Sequence, residues 1–443
     1  MTDVSVPWGQ DDLKFSIPEN WEVIQTAKSS LRPAADNWQD RLAMAINQPE
    51  AGLPLPRMLE ARRNGRIVII IEDMTRHSPL AQILPIILRE IRHARINDSQ
   101  LEIFFASGMH PAMKPDDVLH KLGDTCTGIA WRCNPWTDSQ AYETVGTAGG
   151  IPITIDRGVA QADIRIIVSS VSPHLQAGFG GGYKMLLPGC ASLETIRSLH
   201  RLGIDREPKQ LVGMDVQKNP MRQVIDAGGE LIDQNHGATF AVHYLLDDND
   251  LPSAIATGEP LPAQRMLAKQ SAVASGVIVP STCDVLITNS YPRDFDLWQS
   301  FKGIANTIWA CRRGGVVICL TRCTAGMNNV KPIRWPLNQE WTRRLLQLIG
   351  PANLASAVMR LVPRLAGDAA FFVRMAASAL HRNPLIMVSP ELAAGGAKFP
   401  GIKIYATIEQ AVAATQQLLG TGSQRVIVFP TGGMTYPVPN LKD

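Results

Sequence analysis

Three β-branched runs in the first half of the chain each end in a short polar cluster. RIVIII (66–71) leads into EDMTRHSP, with Asp73, Thr75, Arg76 and His77; LEIFFA (101–106) leads into SGMHP, with His110; IRIIVS (164–169) leads into SVSPH, with His174. Arginine binds anions, and histidine exchanges protons near neutral pH. Open α/β sheets bind ligands beyond the carboxyl ends of their strands, so the pattern delivers these side chains to one rim. A polar residue after a strand is often just a loop residue. Three coincidences carrying His or Arg are less easily dismissed.

A second cluster follows His174 directly: HLQAGFGGGYKMLLPGCASLETIRSLH, closing at His200. Gly178, Gly180, Gly181 and Gly182 permit positive φ and close backbone approach to a bulky group, and exposed N–H groups there could hold a phosphate. Lys184 follows. The segment is not a nucleotide P-loop, because Met185 stands where a Mg²⁺-binding Ser or Thr should be and Pro188 interrupts the helix that should start there. Nor do its glycines open a helix after a strand, as a dinucleotide fingerprint requires.

The elements that must position these residues are short apolar strands alternating with helices, the pattern of parallel sheets covered by helices. Leu80 to about His93 reads as a core helix. A second strand series comprises DVLITN (284–289), GGVVICL (314–320), PLIMVS (384–389), IKIYA and RVIVFP (425–430). At 443 residues the chain exceeds one ordinary core. The polar, proline-bearing stretch 247–263 is the candidate linker. Two α/β domains are therefore expected, 1–262 and 263–423, each a mainly parallel sheet with flanking helices, and the tail 424–443 is expected to pack back on the first.

Composition narrows the class. A net charge of +3 without basic runs argues against nucleic acid. The N-terminus has no basic-then-apolar leader and no stretch is long and apolar enough for a membrane helix, so a cytoplasmic protein without membrane association is expected. Seven scattered cysteines form no CxxC pair and fit free thiols, so any metal needs other ligands. His77, His93, His120, His236 and His243 read as structural, and Trp131 and Trp136 as packing residues.

The glycine–lysine segment resembles the signature of the nickel-dependent lactate racemase family, HxxAGxSGGxK followed by PG, TI and a closing histidine. His174, Ala177, Gly178, Gly181, Gly182, Lys184, Pro188, Gly189, Thr195, Ile196 and His200 fall into register without a gap. The family's DxTRxxP motif matches Asp73, Thr75, Arg76 and Pro79; its GxH motif matches Gly108 and His110; an aromatic–Gln–x–x–Lys motif matches Trp298, Gln299 and Lys302.

The resemblance implies a racemase or epimerase of a 2-hydroxy acid that removes the α-hydrogen reversibly as hydride, with its active site in a cleft between the domains. It implies a nickel pincer nucleotide, the Ni(II) complex of pyridinium-3,5-bisthiocarboxylic acid mononucleotide, tethered covalently to Lys184 and ligated by His200. Sulfur and carbon donors with an imidazole suit planar Ni(II). His110 and His174 would be the acid/base pair, one for each face of the planar keto acid. Arg76 and Lys302 would hold the substrate carboxylate, with Gln299 and Trp298 lining the pocket. Asp73, Thr75 and the four glycines would serve the cofactor side, Asp73 and Thr75 by orienting Arg76. Cofactor-synthesis proteins would be partners.

Departures concentrate near the substrate. Pro111 replaces a usual Arg, with Lys114 nearby as a compensating charge; Gly180 replaces Ser, Tyr183 a small residue, and Trp298 a Tyr. A substrate larger than lactate follows, such as a longer hydroxy acid or a sugar acid, with Gln299, His77 and Tyr183 as polar partners. Two alternatives stay open. A nicotinamide-dependent 2-hydroxyacid dehydrogenase predicts a GxGxxG opening a helix, which no GG pair here satisfies. A non-catalytic cofactor-binding protein predicts loss of the paired histidines, yet both are present.

Overall fold

The computed structural model describes residues 2–204, 212–213, 215–327, 338–362 and 370–439. It is an α/β fold of two compact units. One comprises Leu31–Gly203 and Met214–Ala272; the other comprises Met1–Ser30, Ile204–Gly213 and Val273–Asp443.

The Leu31–Ala272 unit is built on six strands: β1 (Ile67–Ile71), β2 (Leu101–Phe105), β3 (Ala130–Cys133), β4 (Ile164–Ser170), β5 (Ala238–Leu246) and β6 (Pro252–Gly258). Their spatial order is β6-β5-β4-β1-β2-β3, parallel throughout except for β6, which pairs antiparallel with β5. Burial on both faces explains the continuous apolar runs. In β1, Ile67, Ile69 and Ile71 enter one core while Val68 and Ile70 enter the other. Each such side chain contributes about 1.5–3 kcal/mol on burial. Helix α1 (Leu80–His93) covers the first face with Ile83, Leu84, Ile87, Leu88 and Ile91 at helical spacing. Helices α2 (Leu193–Ile204) and α3 (Pro220–Asn235) contribute Ile196, Leu199, Met221, Ile225 and Ile232 to the core on the opposite face. The chain places β2 and β3 on one side of β1, then returns to put β4 on the other. The switch in direction therefore lies between β1 and β4, where such sheets bind ligands.

The second unit holds the parallel strands β7 (Cys283–Asn289), β8 (Cys311–Leu320), β9 (Leu385–Val388), β10 (Ile402–Tyr405) and β11 (Gln424–Phe429) in the order β10-β9-β8-β7-β11. Beyond β11 lies the N-terminal strand Trp21–Thr26, also parallel. Helix α4 (Leu297–Thr307) follows β7.

The expected division at 262/263 is corrected in three places. The first 30 residues belong with the C-terminal unit, since Trp21–Thr26 pairs with β11 and Val4, Val6, Phe15 and Ile17 share a core with β7 and β8. The tail stays with that unit too: β11 lies beside β7, and Tyr436–Pro439 pairs with Gly276–Val279. Its last residues, 440–443, lie outside the described ones. The stretch 247–263 is no linker, because it forms edge strand β6; Pro252, its first residue, is tolerated at an edge.

Candidate active site

Three loops at the carboxyl ends of β1, β2 and β4 carry the candidate residues, and direct hydrogen bonds tie them together. Glu72 sits at the switch point, buried, with Oε1 accepting from the Ser170 amide (3.0 Å) and hydroxyl (2.8 Å) and Oε2 from the Ser78 hydroxyl. It fastens the end of β1 to the end of β4.

Asp73, next along, is also buried. Its Oδ1 accepts from the Thr75 amide (2.9 Å) and hydroxyl (2.6 Å), and its Oδ2 lies 2.5 Å from His110 Nδ1. Burial alone would raise this carboxyl. The charge and hydrogen bond of His110, then Arg76 and Thr75, outweigh it and hold the group well below the usual carboxylate range. Arg76 Nη1 donates to the Thr75 carbonyl (3.1 Å) and hydroxyl (2.8 Å). Asp73 therefore orients His110 directly and Arg76 only through Thr75. Buried Lys121 supports the turn from below, its Nζ donating to the Arg76 carbonyl at 2.9 Å. Burial lowers that ammonium although Glu72 and Asp73 raise it.

The half-buried His110 is anchored from its own backbone: Trp136 Nε1 donates to its carbonyl (3.3 Å), and the Gly108 amide donates to the Gly189 carbonyl (3.0 Å). Asn134 Nδ2 bridges the Gly108 (2.9 Å) and Ala191 (3.0 Å) carbonyls. The His110 loop thus rests on the Pro188–Gly189 turn, four residues beyond Lys184.

His174 Nδ1 accepts from the backbone amides of Gln176 (3.3 Å) and Ala177 (3.1 Å). Buried Gln176 links onward, its Nε2 donating to the His200 carbonyl on α2 (3.1 Å), while Asn219 holds the Gln176 carbonyl (2.8 Å). Thr195 fixes α2, donating to Pro152 O (3.0 Å) and accepting from the Thr154 amide (3.1 Å).

The glycine segment bonds several of its own polar groups to protein. Gly181 and Gly182 adopt φ of 71° and 64°. The Gly180 amide donates to Ser172 O (2.8 Å) and the Gly182 amide to His243 Nε2 (2.9 Å). Fully buried Arg222 caps the carbonyls, donating to Gly181 (3.1 Å), Gly180 (3.4 Å) and Phe179, and Gln264 adds a bond to Gly180 (3.1 Å). These groups face protein. The turn therefore serves to present Lys184, half-buried on the short helical turn Gly182–Met185.

Tyr183 is corrected from a possible substrate partner to a core residue. Its hydroxyl donates to Asp233 (2.7 Å), and its ring lies so close to α3 that a Cβ on Gly229 would stand 2.0 Å from Cγ. Lys114, offered as compensation for Pro111, is exposed. In the other unit, Lys302 Nζ donates to Gln299 Oε1 (2.5 Å) across one turn of α4, and Asp296 caps that helix. Trp298 stacks on Phe372 with ring centroids 4.7 Å apart, so its ring is a packing surface.

Known proteins resemble this chain in sequence and fold. Residues 8–212 match the family described as the lactate racemase N-terminal domain. A lactate racemase of Thermoanaerobacterium thermosaccharolyticum is 27% identical over 357 residues, 76% of this chain and 78% of that one. One from Lactiplantibacillus plantarum is 26% identical over 293 residues, 65% and 67% of the two chains. The chain thus resembles the lactate racemase family in sequence and in fold. The solved lactate racemase apoprotein of T. thermosaccharolyticum shares the fold over 99% of this chain and 100% of its own, with a TM-score of 0.80 at 22% identity. A Thermotoga maritima protein of known structure does so at 0.64 and 16%, covering 91% and 98%.

Within this lactate racemase homologue, an isomerase, sequence reasoning missed the supporting residues Glu72, Lys121, Asn134, Gln176 and Arg222. It also missed the part played by His243, which is structural as expected but props the glycine turn. A polar or charged residue amid apolar neighbours, such as His243 within ATFAVHYLL, was the one available signal. Among the described residues no helix is long and apolar enough to cross a membrane.

Proposed function

We propose that the chain racemises or epimerises a 2-hydroxy acid larger than lactate, using a nickel pincer nucleotide tethered to Lys184. The observation that carries this reading is the grouping of two imidazoles, His110 and His174, on loops bonded to the turn bearing Lys184 and the helix bearing His200. The residues fit the group. Among the described residues no three His, Cys, Asp or Glu side chains converge on a metal. An imidazole such as that of His200 suits a soft-ligated metal that brings sulfur and carbon donors with it. When bound, the group supplies the acceptor for the α-hydrogen.

The chain's own residues do the rest. Arg76, oriented by Thr75, binds the substrate carboxylate as a bidentate fork. His110 and His174 hold the hydroxyl oxygen and its proton from two sides. Trp298 and Pro111, departures from the family pattern, point to a larger acid. Cofactor-synthesis proteins load Lys184, and the compartment is the cytoplasm.

Protein co-produced with the cofactor-synthesis machinery should carry a mass adduct on Lys184 and bound nickel, and His200→Ala should lose the nickel. A screen of 2-hydroxy acids for loss of optical rotation identifies the substrate. An unmodified, nickel-free chain under those conditions would overturn the assignment.

A further inference from the structure

The two imidazoles are held by opposite kinds of partner. A carboxylate can only accept, so the 2.5 Å contact with Asp73 Oδ2 requires that His110 Nδ1 carry a proton. In the neutral ring this leaves the lone pair on Nε2. Backbone amides can only donate, so the bonds from Gln176 and Ala177 require that His174 Nδ1 carry the lone pair. In the neutral ring this puts the proton on Nε2. One ring thus offers an acceptor at Nε2 and the other a donor.

We propose that the pair is not interchangeable: in the resting enzyme His110 is the base, His174 is a neutral hydrogen-bond donor, and Asp73 is the positioning residue that enforces the difference. This rests on the reading that both rings meet the hydroxy acid. The O–H bond of the substrate breaks toward His110 Nε2, giving an imidazolium whose second N–H stays on Asp73. His174 keeps its Nε2 proton and donates to the same oxygen as carbonyl character develops, as neutral histidines do in other proton-transfer enzymes. For the opposite enantiomer to be formed or consumed, His174 must pass between the imidazolium and its Nδ1-protonated tautomer, losing the two amide bonds, so that half-reaction is the slower one.

Asp73 provides a sharp test. Its Oδ1 receives two donors from Thr75. In Asp73→Asn the amide oxygen must stay on that side, which turns the amide NH₂ toward His110 Nδ1. Nδ1 then has to accept, and the proton moves to Nε2, the wrong-tautomer effect known when asparagine replaces the aspartate of a catalytic triad.

Nitrogen-15 histidine spectra of the unloaded protein read this directly, at a pH where the rings are neutral, with assignments from His110→Gln and His174→Gln. The wild type should show His110 protonated at Nδ1 and His174 at Nε2, and Asp73→Asn should invert His110 alone. Equal tautomers in the wild type, which needs no variant to fold, or an Asp73→Asn spectrum unchanged at His110, would overturn the proposal. In loaded enzyme, single-turnover keto-acid formation from the favoured enantiomer should fall less than about tenfold in His174→Gln, whose amide still donates. It should fall about 10²–10⁴-fold in His110→Gln. Equal losses would overturn it. Failure of the function itself would appear as absent nickel and inactive wild type, leaving the tautomer result standing.

Discussion

The two parallel sheets have the same architecture and different rims. Beyond β1, β2 and β4 the rim carries Glu72, Asp73, Arg76, His110 and His174, with Glu72 and Asp73 buried and Asp73 bonded to His110. Beyond β7 and β8 the corresponding rim pairs buried Asp294 with Arg322, whose Nη2 donates to Asp294 Oδ1 at 3.1 Å, beside a buried uncharged group: Ser290, Ser300, Cys319, Thr321 and Cys323 hydrogen-bond to one another, with Cys319 Sγ 3.2 Å from Ser290 Oγ and Ser300 Oγ 2.6 Å from Thr321 Oγ1. Chemistry lives in the loops a sheet carries, not in the sheet. Buried charge must be paired or it is not tolerated, so each rim carries its own supporting bonds, a histidine on Asp73 in one and an arginine on Asp294 in the other.

The largest effect that would sharpen this contrast is catalytic. His110→Ala should lower turnover about 10²–10⁴-fold, whereas Cys319→Ala on the other rim should leave turnover within about twofold and cost about 1 kcal/mol of stability, measured by denaturant unfolding. Equal kinetic effects would break the comparison.

A second difference is acid sensitivity. Burial, with a smaller contribution from Arg222, pulls His243 down to about 3, although bonds to Ser169 and Val242 oppose it. The unfolded chain binds this proton near the ordinary value of about 6.5, so stability is lost as pH falls from there toward 3, at up to about 1.4 kcal/mol per unit, and levels off below. Acid titration of unfolding should show this slope in the wild type and a flatter curve in His243→Gln. An unchanged slope would contradict the burial argument.

Gly229→Ala should cost about 1–3 kcal/mol by forcing the Tyr183 ring off α3, with a lowered melting temperature as the readout. The smallest effect is an absence. Burial pushes the Cys319 thiol up to about 12 and raises Cys323 as well, so neither should react with a thiol reagent at neutral pH until the protein unfolds.

Much of this was legible in the sequence because it is local. The strand runs, α1 and the polar rims follow from residue periodicity, and the four motifs name every candidate site residue. What was hidden depends on pairing across long separations. No local signal joins Trp21–Thr26 to a strand 400 residues later, and Asp73 and His110 stand 37 positions apart. The glycines looked like a phosphate cradle because their conformational freedom is visible in sequence, whereas the Arg222 and His243 side chains that occupy their polar groups are not. The edge strand β6 was read as a linker because an edge needs little hydrophobicity on its solvent side.

Asn134 merits a last thought. One carboxamide grips the segment before His110 and the segment after Lys184, while its own oxygen takes the Tyr142 hydroxyl at 3.0 Å. The spacing between the His110 and Lys184 segments is thereby written into the scaffold as a fixed gauge. Descendants of this fold can change what they recognise by exchanging side chains around the rim, but they inherit the distance.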